Sequence, residues 1–181
     1  MKQQGHTGNA WILTGSNGQL IENIDTDQIF HNAFLYITEM NEMGKFTFGN
    51  LEGWKDFPEK AGPGDIVIAG GNFGAGSSRQ QAVDCFISLG IGGIIAPSFG
   101  AIYFRNAVNA GFPVMRCGNL YDFVPSKDLQ TGHEIRIDFC SGEAWNRTKN
   151  ISLTCKPMSE VQFKLYKAGG LFRYGRDLGR D

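Results

Sequence analysis

The amino-acid sequence predicts an α/β fold with a central, mostly parallel sheet, flanking helices and an antiparallel C-terminal part. Two observations lead to this prediction. Between residues 65 and 115, short β-branched runs alternate with stretches of helical length, which is typical of parallel strands joined by right-handed crossovers. After residue 118, polar and apolar residues alternate singly, as they do in strands that expose one face to water.

Three buried strands and two helices are expected in the middle of the chain. The strands are short, apolar and flanked by glycine, and they cover residues 65–69, 93–96 and 112–115. Serine is a favourable residue at the start of a helix, and glycine is favourable just beyond its end. The first helix is therefore predicted between Ser77 or Ser78 and Gly90. The second is predicted between Ser98 and Gly111.

The N-terminal third has weaker patterns. The Asn17-Gly18 pair lies between the apolar runs 10–14 and 19–21, which predicts a β-hairpin. Residues 34–63 are irregular and rich in aromatic side chains, so we expect a long, flexible loop containing short helical pieces. A loop of this length in one domain is usually functional or mobile.

The C-terminal part is expected to contain two paired strands and one helix. Residues 134–139 form the first strand, and residues 151–154 are its expected antiparallel partner. The spacing of apolar residues over 161–166 predicts a last helix that is stopped by Gly169. The tail, residues 171–181, is expected to be frayed.

The composition is that of one folded domain covering residues 1–181. Lys and Arg number 17 against 18 Asp and Glu, and the resulting net charge of −1 argues against a nucleic-acid-binding protein. The N-terminus has no apolar stretch typical of a signal peptide, and no apolar run is long enough to span a bilayer. We therefore expect a cytoplasmic protein that does not bind membranes.

Cysteine and histidine are scattered, and no CxxC pair occurs. The residues are Cys85, Cys117, Cys140, Cys155, His6, His31 and His133. This spacing predicts that the chain by itself binds neither a structural metal nor an iron–sulfur cluster. Buried, reduced thiols in a cytosolic protein are the favoured interpretation of the cysteines.

The most informative segment is the glycine-rich loop, residues 70–79, which reads Gly-Gly-Asn-Phe-Gly-Ala-Gly-Ser-Ser-Arg. It lacks the lysine of a Walker A motif. The dinucleotide-binding fingerprint fails at Arg79, and the nucleophile elbow fails at Gln80. The loop is therefore interpreted from its residues and not from any of these three motifs.

These residues predict an anion site with a hydroxyl beside it. Glycine lets the backbone approach a ligand closely, and the first-turn amides of the next helix favour negative charge. Arg79 can hold a carboxylate through two parallel hydrogen bonds. Ser77 becomes a plausible base only if amides and a nearby cation stabilise its alkoxide. The alternative interpretation is a serine helix cap followed by a solvated arginine.

A second polar segment, the 23–27 turn, reads Asn-Ile-Asp-Thr-Asp. Asp25, Thr26 and Asp27 are residue types that hydrogen-bond to nearby backbone, which predicts a rigid turn. Alternatively, the carboxylates orient catalytic groups. A calcium-binding loop is improbable, since no glycine and no later glutamate fall at the required positions.

Several of these segments together resemble the swivel domain of the aconitase superfamily. They are residues 23–27, 72–79 and 95–99, with Asn106 and Gly111. The chain length and the Ala168-Gly169-Gly170 ending resemble the small subunits of 3-isopropylmalate dehydratase. The resemblance extends from about residue 23 to residue 170.

The resemblance implies an aconitase-like swivel domain that closes onto a separate large subunit carrying a [4Fe–4S] cluster. In this family the iron acts as Lewis acid on the departing hydroxyl, and a swivel-domain serine takes the proton from the carbon next to a carboxylate. By motif position, the base is Ser77 and the carboxylate clamp is Arg79, while Gly76 and Ser78 help to bind the anion. The supporting positions are Asp25, Thr26, Asp27 and Asn72.

Two features depart from the family pattern. Gln80-Gln81 stands where the family usually has Glu-His or Glu-Gln, so a charged partner is missing, and His31 stands where the family usually has proline. Neither departure removes the proposed base or clamp. Both bear on the identity of the substrate.

The family's substrate-selecting loop falls at Leu35, Tyr36 and Ile37. An arginine there would suit a third carboxylate, whereas apolar side chains suit an alkyl group. We therefore expect isopropylmalate, or a related alkylmalate such as 2,3-dimethylmalate, in preference to citrate or homocitrate. Ordinary loop packing is the alternative interpretation of these three residues. A non-catalytic, anion-binding regulatory module is the alternative for the whole chain.

Overall fold

Seven strands form a closed barrel in the computed structural model, which describes residues 3–179. They are β1 (Gly5–Ile12), β2 (Ile66–Ile68), β3 (Gly93–Ala96), β4 (Val114–Cys117), β5 (Glu134–Asp138), β6 (Glu143–Asn146) and β7 (Ile151–Lys156). Around the barrel, the order is β1-β2-β3-β4-β7-β6-β5.

One half of the barrel is parallel and the other half is antiparallel. The pairs β1–β2, β2–β3 and β3–β4 are parallel. The pairs β4–β7, β7–β6, β6–β5 and β5–β1 are antiparallel. The predicted α/β class, with a parallel part followed by an antiparallel C-terminal part, is therefore confirmed. The closure of β1 onto β5 was not predicted, because the period of a strand does not identify its neighbours.

Eight α-helices are present in residues 3–179. They are α1 (Thr26–Ile29), α2 (Met40–Met43), α3 (Phe57–Lys60), α4 (Gln81–Leu89), α5 (Ala101–Asn109), α6 (Leu120–Phe123), α7 (Glu160–Ala168) and α8 (Leu171–Leu178). Helix α4 connects β2 to β3, and α5 connects β3 to β4. These two helices are the crossovers that the sequence predicts.

Alternation along each strand divides the core into two clusters. Ile66 and Ile68 point into the barrel and pack with Met115, while Val67 and Val114 point outward to the cluster that includes α4 and α5. All five side chains are buried. The short apolar strands of the sequence are thus buried on both faces, as a parallel sheet covered by helices requires.

The start of α4 differs from the prediction. The helix begins at Gln81, and Gln80 at its cap position makes no side-chain capping bond. Ser77 and Ser78 therefore lie in the loop before the helix and do not cap it. The end of the helix is as predicted, because Gly90 has a left-handed conformation with φ 74°.

The start of α5 is also displaced. Ser98 is expected to cap this helix, but Gly100 occupies the cap position and the helix begins at Ala101. The Ser98 hydroxyl instead accepts a hydrogen bond from the Asn72 backbone N–H at 2.8 Å. The Ser98 hydroxyl therefore joins two loops and does not cap the helix, as the sequence predicts it would.

One predicted strand pairing is shorter than expected, and another is wrong. The hairpin around Asn17-Gly18 is present but short: Thr14 and Leu20 form an antiparallel bridge, and the Gly15 N–H and Ile21 N–H donate to the Gln19 and Leu13 carbonyls, each at 2.9 Å. Residues 10–12 of its predicted first strand pair with β2 instead. The segment 151–154 belongs to β7, whose neighbours are β6 and β4. Strand β6 lies between β5 and β7, and its four residues are too short a run for the sequence pattern to identify.

The end of the chain contains one confirmed helix and one that was not predicted. Helix α7 ends at Ala168, and Gly169 at its cap position has a left-handed conformation as expected. Residues 171–178 form α8, where a frayed tail is expected. The last two residues of that tail, 180 and 181, lie outside the described part of the chain.

The long segment 34–63 contains the short helical pieces that the sequence predicts, among them α2 and α3. Its aromatic side chains, except that of Tyr36, are packed into or against the outer cluster. Phe48 and Phe57 are fully buried, and the Phe48 ring meets that of Phe86 edge-on at 5.3 Å. Flexibility of this segment stays a prediction.

Candidate active site

The glycine-rich loop, residues 70–79, follows the carboxyl end of β2 and is held against the segment after β3. The Asn72 backbone donates to Ser98 Oγ, as described above. Gly74 has φ 74°, and a Cβ added there would lie 2.2 Å from the Tyr103 ring. Only glycine fits this position without displacing the ring. The backbone of the loop is therefore fixed by packing and not by a helix.

The 23–27 turn runs beside the same loop. The Thr26 backbone N–H donates to the Ala75 carbonyl at 2.9 Å, and the Thr26 hydroxyl donates to the Ser77 carbonyl at 3.1 Å. Thr26 is 3% exposed, so these bonds are shielded from water. Thr26 thus positions the backbone of Ser77, while its supporting role in catalysis stays a prediction.

Asp25 caps the helix that follows its own turn, and Asn72 joins the glycine-rich loop to that turn. Asp25 caps α1: its carboxylate accepts from the Gln28 N–H at 2.8 Å, and the Gln28 side chain accepts from the Asp25 N–H at 3.0 Å. The Asn72 side chain donates to Asn23 Oδ1 at 2.9 Å and joins the loop to the turn. Asp25 therefore makes the local backbone hydrogen bonds that the rigid-turn interpretation predicts.

Gly76, Ser77 and Ser78 are all exposed at the surface of the loop. Ser78 Oγ accepts from the Asn106 amide at 3.3 Å. Because α4 begins only at Gln81, Ser77 and Ser78 lie before its first turn. A contribution of the amides of that turn to an anion site stays a prediction. The exposed hydroxyl of Ser77 is open to a molecule that approaches from outside the chain.

Arg79 is held by the turn. Its Nη1 donates to Asp27 Oδ1 at 2.6 Å and to the Phe30 carbonyl at 3.1 Å. The Arg79 side chain is only 17% exposed, which excludes the alternative of a freely solvated arginine. The sequence placed both residues at the site, but their pairing joins segments 52 residues apart and has no local signal.

Asp27 is the centre of a small polar network. Besides Arg79, it accepts from the Asn32 N–H at 3.0 Å and from the Asn50 amide at 2.9 Å. His31 Nε2 lies 3.8 Å from its second oxygen. The hydrogen bond from Arg79 is the largest cause that lowers the pKa of Asp27 below its ordinary value of 3.8. The carboxylate is therefore charged at neutral pH and keeps the guanidinium in place.

The segment 35–37 directly follows residues that belong to this network. The Asn32 N–H donates to Asp27, and the His31 ring accepts from the Ala33 N–H at 3.1 Å. Tyr36 is 76% exposed and Leu35 is 38% exposed. Ile37 packs against the outer core cluster. Leu35 and Tyr36 are therefore available to a ligand, whereas Ile37 has a packing role.

Two further residues contact the loop and were missed in the sequence. The Tyr121 hydroxyl donates to Glu22 Oε1 at 2.7 Å and accepts from the Gly71 N–H at 3.2 Å. Burial is the largest cause that raises the pKa of Tyr121, and the bond to Glu22 adds to it. Tyr121 lies on α6, and nothing in the local sequence indicates that this helix reaches the loop.

Three findings concern ligands and membranes. A groove of about 610 Å³ lies away from the loop, between the start of β1 and the ends of α4, α5 and α7.

Within residues 3–179, no group of three or more His, Cys, Asp or Glu side chains is placed to hold a metal ion. Over the same residues, no helix has both the length and the apolar character needed to cross a membrane.

This fold, with a glycine-rich loop and a polar turn joined at one end of the barrel, is of the aconitase C-terminal class. The family model described as the aconitase C-terminal domain matches residues 55–117. A crystal structure of 3-isopropylmalate dehydratase from Methanocaldococcus jannaschii superposes with a TM-score of 0.83 at 28% identity, covering 97% of this chain and 96% of that one.

Sequence relatives specify the family further. The 3-isopropylmalate dehydratase small subunit of Caldicellulosiruptor bescii is 36% identical over 90% of this chain and 94% of its own length. That of Thermodesulfovibrio yellowstonii is 39% identical over 84% and 87%. The isopropylmalate/citramalate isomerase small subunit of M. jannaschii is 34% identical over 90% and 93%. The chain belongs to the family of 3-isopropylmalate dehydratase small subunits, as the sequence motifs predicted.

Proposed function

We propose that this chain is the small subunit of a cytoplasmic hydro-lyase that interconverts 2-isopropylmalate and 3-isopropylmalate in leucine biosynthesis. The reaction removes water and adds it back, so that the hydroxyl moves between neighbouring carbons. One observation carries the proposal: the exposed Ser77 lies two residues from Arg79, whose guanidinium is held in place by Asp27. The names of the relatives support the substrate.

Arg79 is the carboxylate clamp in this proposal. Both hydrogen bonds of its side chain to residues 3–179 use Nη1, and a guanidinium has further donors on Nη2 and Nε. We assign these donors to a substrate carboxylate, which they fit as a pair of parallel bonds. Asp27 is then a positioning residue, because it orients the guanidinium before the substrate arrives.

Ser77 is the base in this proposal. It takes a proton from the carbon next to the clamped carboxylate, and it returns a proton when water is added in the other direction. A serine alkoxide needs nearby positive charge and exclusion of water, since its hydroxyl is a weak acid in bulk solvent. Arg79 supplies the charge. Ser77 is exposed in the isolated chain, so the proposal requires a second protein surface to close over it.

That surface is the large subunit, to which we also assign a [4Fe–4S] cluster. The side chains of residues 3–179 offer no ligand set that fits such a cluster, so no step is derived through it from this chain. The contribution of the small subunit is to bind the carboxylate, hold the proton-transferring hydroxyl and close the site.

The alkyl group of the substrate is assigned to the exposed Leu35 and Tyr36. Each CH₂ buried against them contributes roughly 0.8 kcal/mol, whereas a third carboxylate would lack a partner there. One relative is named for both isopropylmalate and citramalate, which supports a small alkylmalate substrate. A 2,3-dimethylmalate or homocitrate reaction is the alternative within the same chemistry.

The test is anaerobic reconstitution of this chain with its large subunit. Turnover is measured for isopropylmalate, 2,3-dimethylmalate, citramalate, citrate and homocitrate, with each subunit alone as the control. We expect activity only in the mixture, with the highest kcat/KM for an alkylmalate. Turnover by the small chain alone would contradict the proposed division of roles, and a preference for homocitrate would contradict the substrate assignment.

A further inference from the structure

Cys117 and Cys155 are directly opposite each other on the antiparallel strands β4 and β7. Both side chains belong to the cluster inside the barrel, with exposures of 0% and 4%. Both are free thiols. The two residues are far apart in sequence, and the proposed function above uses neither of them.

Backbone hydrogen bonding indicates which type of cross-strand pair they form. In an antiparallel strand, the N–H and C=O of one residue point toward the same neighbouring strand. The Cys155 N–H donates to the Gly142 carbonyl at 2.9 Å, so the polar groups of Cys155 point toward the β6 side and away from β4. Cys117 and Cys155 are therefore a non-hydrogen-bonded pair, the type in which opposite Cα atoms are about 4.5 Å apart.

This spacing lies within the range of about 4.4–6.8 Å that disulfides occupy. The two side chains also point to the same face of the sheet, because opposite residues of an antiparallel pair share a face. We propose that Cys117 and Cys155 form a reversible disulfide that joins the parallel and antiparallel halves of the barrel. The oxidant class is a peroxide, with hydrogen peroxide as the simplest member.

The surroundings favour Cys117 as the sulfur that reacts first. The neighbouring Cys155 thiol is the largest cause that lowers the pKa of Cys117. The Cys117 sulfur is in turn the largest cause that raises the pKa of Cys155. When Cys117 is protonated, its sulfur donates to Asn119 Oδ1 at 3.1 Å. A thiolate, and not a thiol, is the reactive form of cysteine.

The reaction balances with one peroxide molecule. The Cys117 thiolate attacks a peroxide oxygen, the O–O bond breaks, and the products are a sulfenic acid and hydroxide, which takes up the proton that Cys117 released. Cys155 then loses its proton, and its sulfur attacks the Cys117 sulfur. The S–O bond breaks, and the departing hydroxide takes that proton. Two thiols and one peroxide give one disulfide and two waters. Burial of both sulfurs makes this reaction slow.

The experiment treats the folded full chain with excess hydrogen peroxide over a time course and maps the products by non-reducing peptide mass spectrometry. We expect a loss of about 2 Da and a Cys117–Cys155 link that dithiothreitol reverses. The link closes a loop of about 40 residues, so the melting temperature should rise by roughly 5–15 °C. Cys85 is the internal control, since it is buried without such a partner and burial raises its pKa to about 12.

Variants separate this reaction from other oxidation. A Cys140→Ser chain removes the exposed thiol and should still form the link. Cys155→Ser should give neither the link nor the rise in melting temperature. If that variant does not fold, the parent chain treated in urea replaces it. At the end of the reaction, a larger share of the folded chain than of the urea-unfolded chain should carry the link. Cys117 and Cys155 remaining reduced, a link that forms only in urea, or a link that lowers the melting temperature would each overturn the proposal.

Discussion

Asp27→Asn is the substitution that tests most directly whether Arg79 is held by charge. Asparagine has nearly the same shape, so its oxygen can still accept from the Asn32 N–H. The change removes the negative partner that lies 2.6 Å from Arg79 Nη1. It also leaves the partly buried guanidinium with only the neutral Phe30 carbonyl and the amide oxygen.

The size of the effect follows from the exposure of the pair. The Arg79 side chain is 17% exposed and that of Asp27 is 30% exposed, so water screens the pair in part. Exposed ion pairs contribute up to about 1 kcal/mol, and hydrogen bonds to charged groups about 1.5–3 kcal/mol. We expect a loss of about 1–2 kcal/mol at pH 7, which corresponds to a melting-temperature drop of roughly 2–8 °C.

The same pair predicts a pH dependence. The pKa of Asp27 is lower in the folded chain than its ordinary value of 3.8, so the unfolded chain binds the proton more readily. The stability difference between the parent and Asp27→Asn should be complete above about pH 4 and should shrink as the pH falls through the folded pKa. Urea unfolding of both chains from neutral to acidic pH measures it. Asp177→Asn, at an exposed position of α8, is the control. A difference that stays constant with pH would refute the reasoning.

Three further predictions concern the loop and the substrate. Gly74→Ala should lower stability by about 2–4 kcal/mol in chemical unfolding, because a Cβ would lie 2.2 Å from a buried ring; Gly18→Ala, with the same φ of 74° and open space, should lose only about 1 kcal/mol. Arg79→Lys should reduce kcat/KM of the reconstituted complex on the order of 10- to 100-fold, since lysine cannot form the paired bonds; unchanged kinetics would favour a non-catalytic module. Tyr36→Arg should raise the kcat/KM for citrate relative to isopropylmalate, and an unchanged ratio would remove Tyr36 from the substrate assignment.

Local sequence patterns were sufficient for elements whose signal is contained within a few residues. The strands around Val67 and Ile94 and the left-handed glycines at the ends of α4 and α7 are of this kind. Helix starts were less predictable, because a serine hydroxyl has several possible partners. Ser98 bonds to the backbone of another loop, and this long-range contact outweighs its preference for a helix cap.

The candidate site was predictable in its residue types and less so in its geometry. The motifs predicted Asp27 and Arg79 as site residues, but their ion pair depends on the turn and the loop meeting in space. Asn50 and Tyr121 contact the site from distant segments, and no spacing rule connects them to the loop. The closure of the barrel was unpredictable for the same reason, since the whole fold determines which strands are neighbours.

The central claim is that the Ser77 hydroxyl moves the proton. The most direct measurement is kcat of the reconstituted complex containing Ser77→Ala, with Ser152→Ala, an exposed serine of β7, as the matched control. We expect Ser77→Ala to assemble with the large subunit and bind substrate, but to lose roughly 100- to 10,000-fold in kcat, while the control keeps parental turnover. An assembled Ser77→Ala complex that turns over at the parental rate would contradict the account.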